Sequence, residues 1–196
     1  MSGVDRNREL TPSGLPRKIS NPEIGDVLTF VEVAAETDGK RVVLEITLAP
    51  GGGNVMHIHL KQTETFHILD GELNVTVEGV TRRLKEGEEA TVPPRTPHRF
   101  FSDSSEPVTF RVTILEPGGV EDGLRILYGL ARDGKAPGGV PRNLLVAALC
   151  VQRSDLYSAA LPLWFQRALV VPLSALGRAL GQDRKFAGYL SRSADA

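Results

Sequence analysis

Between Asp26 and Leu115 the chain is broken into short β-rich runs, and almost every run ends at a turn signal. "DVLTFVEVAA" and "KRVVLEITLAP" flank "ETDG", in which Asp38-Gly39 predicts a hairpin turn. "VMHIHL", "TETFHIL", "ELNVTVEG", "VTRRL", "EATV", "HRFF" and "PVTFRVTIL" follow, punctuated by further Asp-Gly, Glu-Gly and Pro-Pro pairs. Strands this short and this closely spaced cannot each find a helix to cross over on. They pair with their neighbours, so the pattern predicts an antiparallel sandwich or small barrel. Closure into a barrel would also remove exposed strand edges.

After Glu116–Gly119 the pattern changes. "VEDGLRILYGLARDG" predicts a helix with Leu124, Leu127, Tyr128 and Ala131 on one face. "PRNLLVAALCVQR" predicts a second, started by Pro141, and "LPLWFQRALVVPLSALGRALG" a third, kinked or broken at Pro172. In the third, Phe165, Leu169, Leu173, Leu176 and Leu180 form an apolar stripe opposite Arg167, Ser174 and Arg178. The expected organisation is an N-terminal arm or irregular lead-in strand at 1–24, a β-barrel at 25–117 and a helical extension at 118–196. The two larger regions differ in charge. Residues 120–196 hold 10 Lys and Arg against 6 Asp and Glu, while 1–119 hold 13 against 18.

Several function classes drop out. The net charge of −1, with no basic cluster or recognition-helix pattern, gives no case for nucleic acid. "GGGN" lacks the Gly-Lys-Ser/Thr of a phosphate loop, and there is no Gly-x-Ser-x-Gly. The single cysteine, Cys150, lies among aliphatic residues, which suits a core thiol better than a nucleophile. The opening "MSGVDRNREL" has no apolar leader core, so a reducing cytoplasm is the expected compartment. The third helix is apolar beyond one stripe, which predicts burial against the barrel or in a homodimer. An alternative is peripheral membrane contact, with Trp164 at the boundary and Arg167, Arg178, Arg184 and Lys185 near headgroups.

Three of the four histidines fall within "GGGNVMHIHLKQTETFHILDG". Side chains two apart on a strand share a face, so His57 and His59 point together. On the next strand Glu64, Phe66 and Ile68 share one face and His67 takes the other. If Glu64 joins the pair, parity excludes His67. His98 follows two prolines in "VPPRTPHRF", where a turn can return it to the same interior. His57, His59, Glu64 and His98 then make a 3-His-1-Glu site suited to one divalent Fe, Mn, Ni, Cu or Zn ion. An isolated His-x-His would more often be two exposed strand histidines. Phe66, Ile68 and Phe100 are inward positions that would line a substrate pocket. Arg95, in the loop before His98, is either a solvated loop residue or a clamp for a substrate carboxylate. Arg111 is expected to face outwards.

The spacing Gly51, five residues, His57-x-His59, four residues, Glu64, six residues, Gly71 resembles the first motif of the cupins. Gly87, Pro93 and His98 resemble the second, departing from it at Arg95, where Gly is usual, and at Ser102, where Asn is usual. The sequence is similar to a small single-barrel cupin over roughly residues 25–117. The resemblance implies a double-stranded β-helix (jelly-roll) barrel with the metal bound inside by those four residues. It implies as well that Glu64 could leave the metal to act as a general base. The expected function is a metal-dependent oxygenase acting on a small organic substrate. A metal-dependent isomerase or cyclase, or a non-catalytic small-molecule-binding regulator, are the alternatives.

Overall fold

A computed structural model describes residues 9–191. Among the described residues eleven strands and three α-helices follow one another in two blocks. Strands β1 (Lys18–Asn21), β2 (Asp26–Glu32), β3 (Arg41–Leu48), β4 (His57–His59), β5 (Thr63–Asp70), β6 (Glu72–Val77), β7 (Val80–Lys85), β8 (Glu89–Val92), β9 (His98–Phe101) and β10 (Val108–Leu115) come first. Helices α1 (Val120–Arg132) and α2 (Leu144–Ser154), strand β11 (Leu156–Ser158) and helix α3 (Leu163–Ala179) complete the chain.

The strands form two antiparallel sheets, ordered β1-β2-β3-β10-β5-β8 and β11-β4-β9-β6-β7. Period-two patterning sets the faces. β5 and β10 alternate buried and half-exposed residues along their length, placing Phe66, Ile68, Phe110, Val112 and Ile114 inside. One apolar cluster fills the space between the sheets, with Phe30, Phe66, Phe110, Leu28, Leu48 and Ile68 fully buried in it. Gly71 makes the β5–β6 turn at φ +82°, and a Cβ there would crowd the Pro107 carbonyl at 3.2 Å. Arg111 faces out and pairs with Glu45 across the β10–β3 register at 3.0 Å.

Both flanks join the sheets. The segment 1–24, expected as an arm or irregular lead-in strand, contains β1, which pairs antiparallel with β2 and extends the larger sheet; residues 1–8 lie outside the described residues. In the helical block β11 pairs with β4 and becomes the edge of the smaller sheet. Helix α1 lies against β1 and β2. Arg125, 4% exposed, donates to Glu121 and to the Pro16 carbonyl, and stacks over the Phe30 ring at 4.3 Å. Helix α2 starts at Leu144 rather than beside Pro141, since the Asn143 carboxamide caps the Leu145 and Val146 N–H groups at 3.0 and 3.2 Å.

Helix α3 runs unbroken through Pro172. Its face against α2 is the reverse of the expected one. Gln166, Ser174 and Gly177 are buried, whereas Trp164, Phe165, Leu169, Val171, Leu176 and Leu180 are exposed, Trp164 by 73%. Close approach is the physical reason. A Cβ on Gly177 would sit 3.0 Å from Leu149 Cδ1, so only small side chains fit the α2–α3 contact. Among the described residues no helix is long and apolar enough to cross a membrane.

Candidate metal centre

His57 and His98 are directly opposed on β4 and β9. His59 lies one pleat repeat along β4, and Glu64 reaches across from β5 in the other sheet. All four side chains are buried, and their ligating atoms lie within 4.8 Å of one another. His67 is excluded as parity demands: it points outwards beside Glu89.

Each imidazole has its Nδ1 occupied by a backbone carbonyl. His57 Nδ1 bonds the Val55 oxygen at 2.9 Å, His98 Nδ1 the Thr96 oxygen at 2.8 Å, and His59 Nδ1 the Asp155 oxygen at 3.2 Å. A carbonyl can only accept, so Nδ1 carries the proton in all three rings and the Nε2 lone pair faces inwards. His59 Nε2 then meets Glu64 Oε1 at 3.3 Å, and His98 Nε2 meets Oε2 at 3.1 Å. Lone pairs cannot confront a carboxylate at that range without positive charge between them. Either a proton or a cation must supply it.

The electrostatics fit an ionised carboxylate facing positive charge. Burial resists ionisation of Glu64, but the charge and hydrogen bonds of His59 and His98 outweigh it and hold the carboxyl well below its usual range. Burial also opposes charge on His59, which the Glu64 carboxylate overcomes, raising its proton affinity. His57 is pushed down to about 3 by burial and by the neighbouring His98 and His59 rings, so it stays neutral. One ionised carboxylate and three imidazoles with a common lone-pair focus form a mixed N/O donor set suited to a divalent first-row transition metal.

The departures at Arg95 and Ser102 leave the geometry intact. Arg95 adopts φ +65°, a backbone conformation that favours glycine, and its N–H donates to the His59 carbonyl at 2.6 Å. Its side chain is exposed and does not line the cavity, which is the solvated loop reading of the two and not the carboxylate clamp. Ser102 is buried, and its N–H donates to the Gly52 carbonyl at 2.9 Å. The carboxamide of Asn54 accepts from Phe100 N–H nearby at 2.9 Å.

A cavity of about 400 Å³ has His57, His59 and Glu64 of the candidate set in its wall, with His98 buried behind them. Phe66 and Phe100 line it as expected. Ile68 does not. It lies about 13 Å along β5 from Glu64, where the barrel has closed into solid core. The opposite wall was not legible in the strand pattern, because it comes from the helical block: Leu124, Leu127, Tyr128, Val140, Val151 and Leu156. Cys150 also faces the cavity, its thiol pushed up to about 12 by burial and therefore unreactive. Asn21, Glu23, Asn54, Ser154, Ser158 and Gln166 interrupt this wall with polar groups, and Tyr128 turns its hydroxyl out of it towards Asp26. Tyr128 Oη donates to Asp26 Oδ2 at 2.5 Å, while Asp26 Oδ1 finds no donor among the described residues. Burial raises the Asp26 carboxyl to about 6.

Several known proteins are similar to this chain. A "probable oxidoreductase virH" of Hypocrea virens is 28% identical over 189 residues, covering 87% of this chain and 86% of that one. The quercetin 2,3-dioxygenase of Bacillus subtilis is 30% identical over 125 residues, 61% of this chain, and the match spans 36% of that enzyme's length. The crystal structure of a predicted oxalate decarboxylase from Thermotoga maritima aligns over 46% of this chain and 79% of that one, at 19% identity and a TM-score of 0.45. Residues 44–118 match the Cupin domain family model, bracketing all four ligands. Within those residues the chain carries a single cupin domain.

Proposed function

We propose that this protein is a metal-dependent oxygenase for a small, largely apolar organic molecule with adjacent oxygen donors. The observation that carries the reading is a buried 3-His-1-Glu donor set, three members of which line a cavity of about 400 Å³ walled largely by Phe66, Phe100 and aliphatic side chains. Similarity to a quercetin dioxygenase and to a probable oxidoreductase supports the same reaction class. Bound at these four residues, a divalent metal would supply Lewis acidity toward substrate oxygens and a site at which dioxygen can react.

The protein's own groups have separable tasks in this reading. His57, His59 and His98 keep Nδ1–H on backbone carbonyls, so only a proton held between Nε2 and Glu64 would need to be displaced on metal binding. Glu64 is a ligand first, because its neighbours depress its affinity for a proton. It takes a substrate hydroxyl proton only when one of its imidazole contacts gives way. Phe66 and Phe100 offer flat apolar surface to a planar substrate and exclude water.

The test is oxygen uptake by protein reconstituted in parallel with Fe(II), Mn(II), Ni(II) and Cu(II), offered a panel of enols, catechols and flavonols. Oxygen consumed in step with substrate supports the proposal. Substrate turnover at an unchanged rate under argon would replace it with a metal-dependent isomerase or cyclase. Tight binding of a panel member without turnover would make the protein a small-molecule-binding regulator.

A further inference from the structure

The three imidazoles are not held alike. His57 and His98 each find their carbonyl two residues upstream, at Val55 and Thr96. His59 does not use the corresponding carbonyl of its own strand. Its partner is Asp155, 96 residues away at the end of α2. The carboxylate of the same residue accepts from the Leu60 and Lys61 N–H groups, at 2.8 and 3.1 Å, just where β4 ends. Asp155 thus grips both the ring of His59 and the backbone that follows it.

The surrounding chain is built to keep Asp155 there. Its backbone is left-handed, φ 54° and ψ 32°, a conformation that Asp and Asn tolerate better than most residues. The next three residues pair with β4 in the order Leu156–His59, Tyr157–Ile58 and Ser158–His57. The Gln166 carboxamide fastens that short strand from the far side, accepting from Ser158 N–H at 3.0 Å and donating to its carbonyl at 2.8 Å. The residue before it is wedged against α1, where a Cβ on Gly123 would stand 2.5 Å from Ser154 Cβ. Helix, left-handed residue and strand together deliver one carbonyl and one carboxylate to one metal ligand.

We propose that Asp155 is a positioning residue for the metal centre: its carboxylate, gripping the Leu60 and Lys61 N–H groups, holds its own carbonyl against His59 Nδ1 and so orients that ring from within the helical extension. The proposal rests on the metal reading above. Partners of this kind are worth about 10–100-fold in metal affinity.

The experiment uses the full chain and Co(II), whose visible absorption reports coordination geometry, with affinity measured by chelator competition. Asp155→Ala should weaken Co(II) binding about 10–100-fold and alter the band envelope. Asp155→Asn should restore both, since it keeps the left-handed backbone and an acceptor for Leu60. Asp155→Gly keeps the backbone but loses the acceptor, and should fall with Asp155→Ala; should the alanine variant not fold, the Asn and Gly variants carry the comparison. Wild-type affinity and spectrum in Asp155→Gly would overturn the proposal. So would a loss of affinity in Asp155→Asn as large as in Asp155→Gly, because a general weakening of the fold would then be the cause. If the wild-type protein itself bound no Co(II), the metal reading and this inference would fall together; if it bound normally and the variants matched it, the inference alone would fall.

Discussion

In the barrel, buried positions carry the large apolar side chains; in α3 they carry glutamine, serine and glycine. Phe30, Phe66 and Phe110 lie at the centre of the sheets, whereas Trp164, Phe165 and Leu169 lie on the outside of the extension. The two regions solve different packing problems. Sheets stack about 10 Å apart and need bulk to fill the gap. The α2–α3 contact instead brings a glycine within van der Waals range of Leu149 and Leu145, and bulk would hold the helices apart. Burial in this molecule therefore tracks the distance between elements more closely than it tracks hydrophobicity.

The sharpest way to break the contrast is at the site the two regions share. The pair His57→Ala with His59→Ala should abolish stoichiometric metal, read by elemental analysis after reconstitution; retained metal would place the ion elsewhere. The next effect concerns whether the extension is structural or ornamental. Ile126, fully buried between α1 and α2, should cost about 2–5 kcal/mol when changed to Ala, and denaturant unfolding should remain a single transition. Two transitions would mean that barrel and extension unfold separately despite β11.

The Asp26–Tyr128 contact joins the regions in a pH-dependent way. The folded protein holds the Asp26 proton more tightly than the unfolded chain, with 3.8 raised to about 6. Stability from this group is therefore fully present below 3.8, is lost as pH rises towards 6, and is then constant. Asp26→Asn should flatten that slope and gain up to about 3 kcal/mol above pH 6, measured by chemical denaturation across the range. A steeper slope in the variant would contradict it. Least affected should be the outer face of α3. Leu169→Ser, at a residue 46% exposed, should shift stability by less than about 0.5 kcal/mol. A larger loss that shrinks as protein concentration rises would show that a second copy covers this face.

Different parts of the molecule were legible to different degrees. The ligands could be read because a strand's period of two is rigid: His57, His59 and Glu64 had to share an interior if they met at all, and His67 had to leave it. Turn glycines fixed where strands ended. The helical block resisted for the opposite reason. A stripe of Phe165, Leu169, Leu173, Leu176 and Leu180 says that a helix is amphipathic, not which neighbour it will approach or how closely. Only Leu173 of these is drawn part-way into the contact. Asp155 was invisible because its carbonyl belongs to the backbone, which carries no residue signature, and because no local pattern spans 96 residues. The nearest signal was an aspartate closing a helix, a common event. Arg95 shows that a departure from a motif can conserve what the motif is for, since it holds the left-handed turn that glycine would otherwise supply.

The short strand β11 has a consequence for anyone wishing to cut the molecule down. Strand β4 meets β9 through a single register pair but meets β11 through three. A fragment stopping at Leu115, after the last strand of the matched barrel, would leave the outer margin of β4 bare and invite pairing with other chains. The minimal fragment that keeps the candidate site intact therefore extends past Ser158 and through Gln166. A barrel of this type can owe its inner chemistry to residues lying beyond its own last strand.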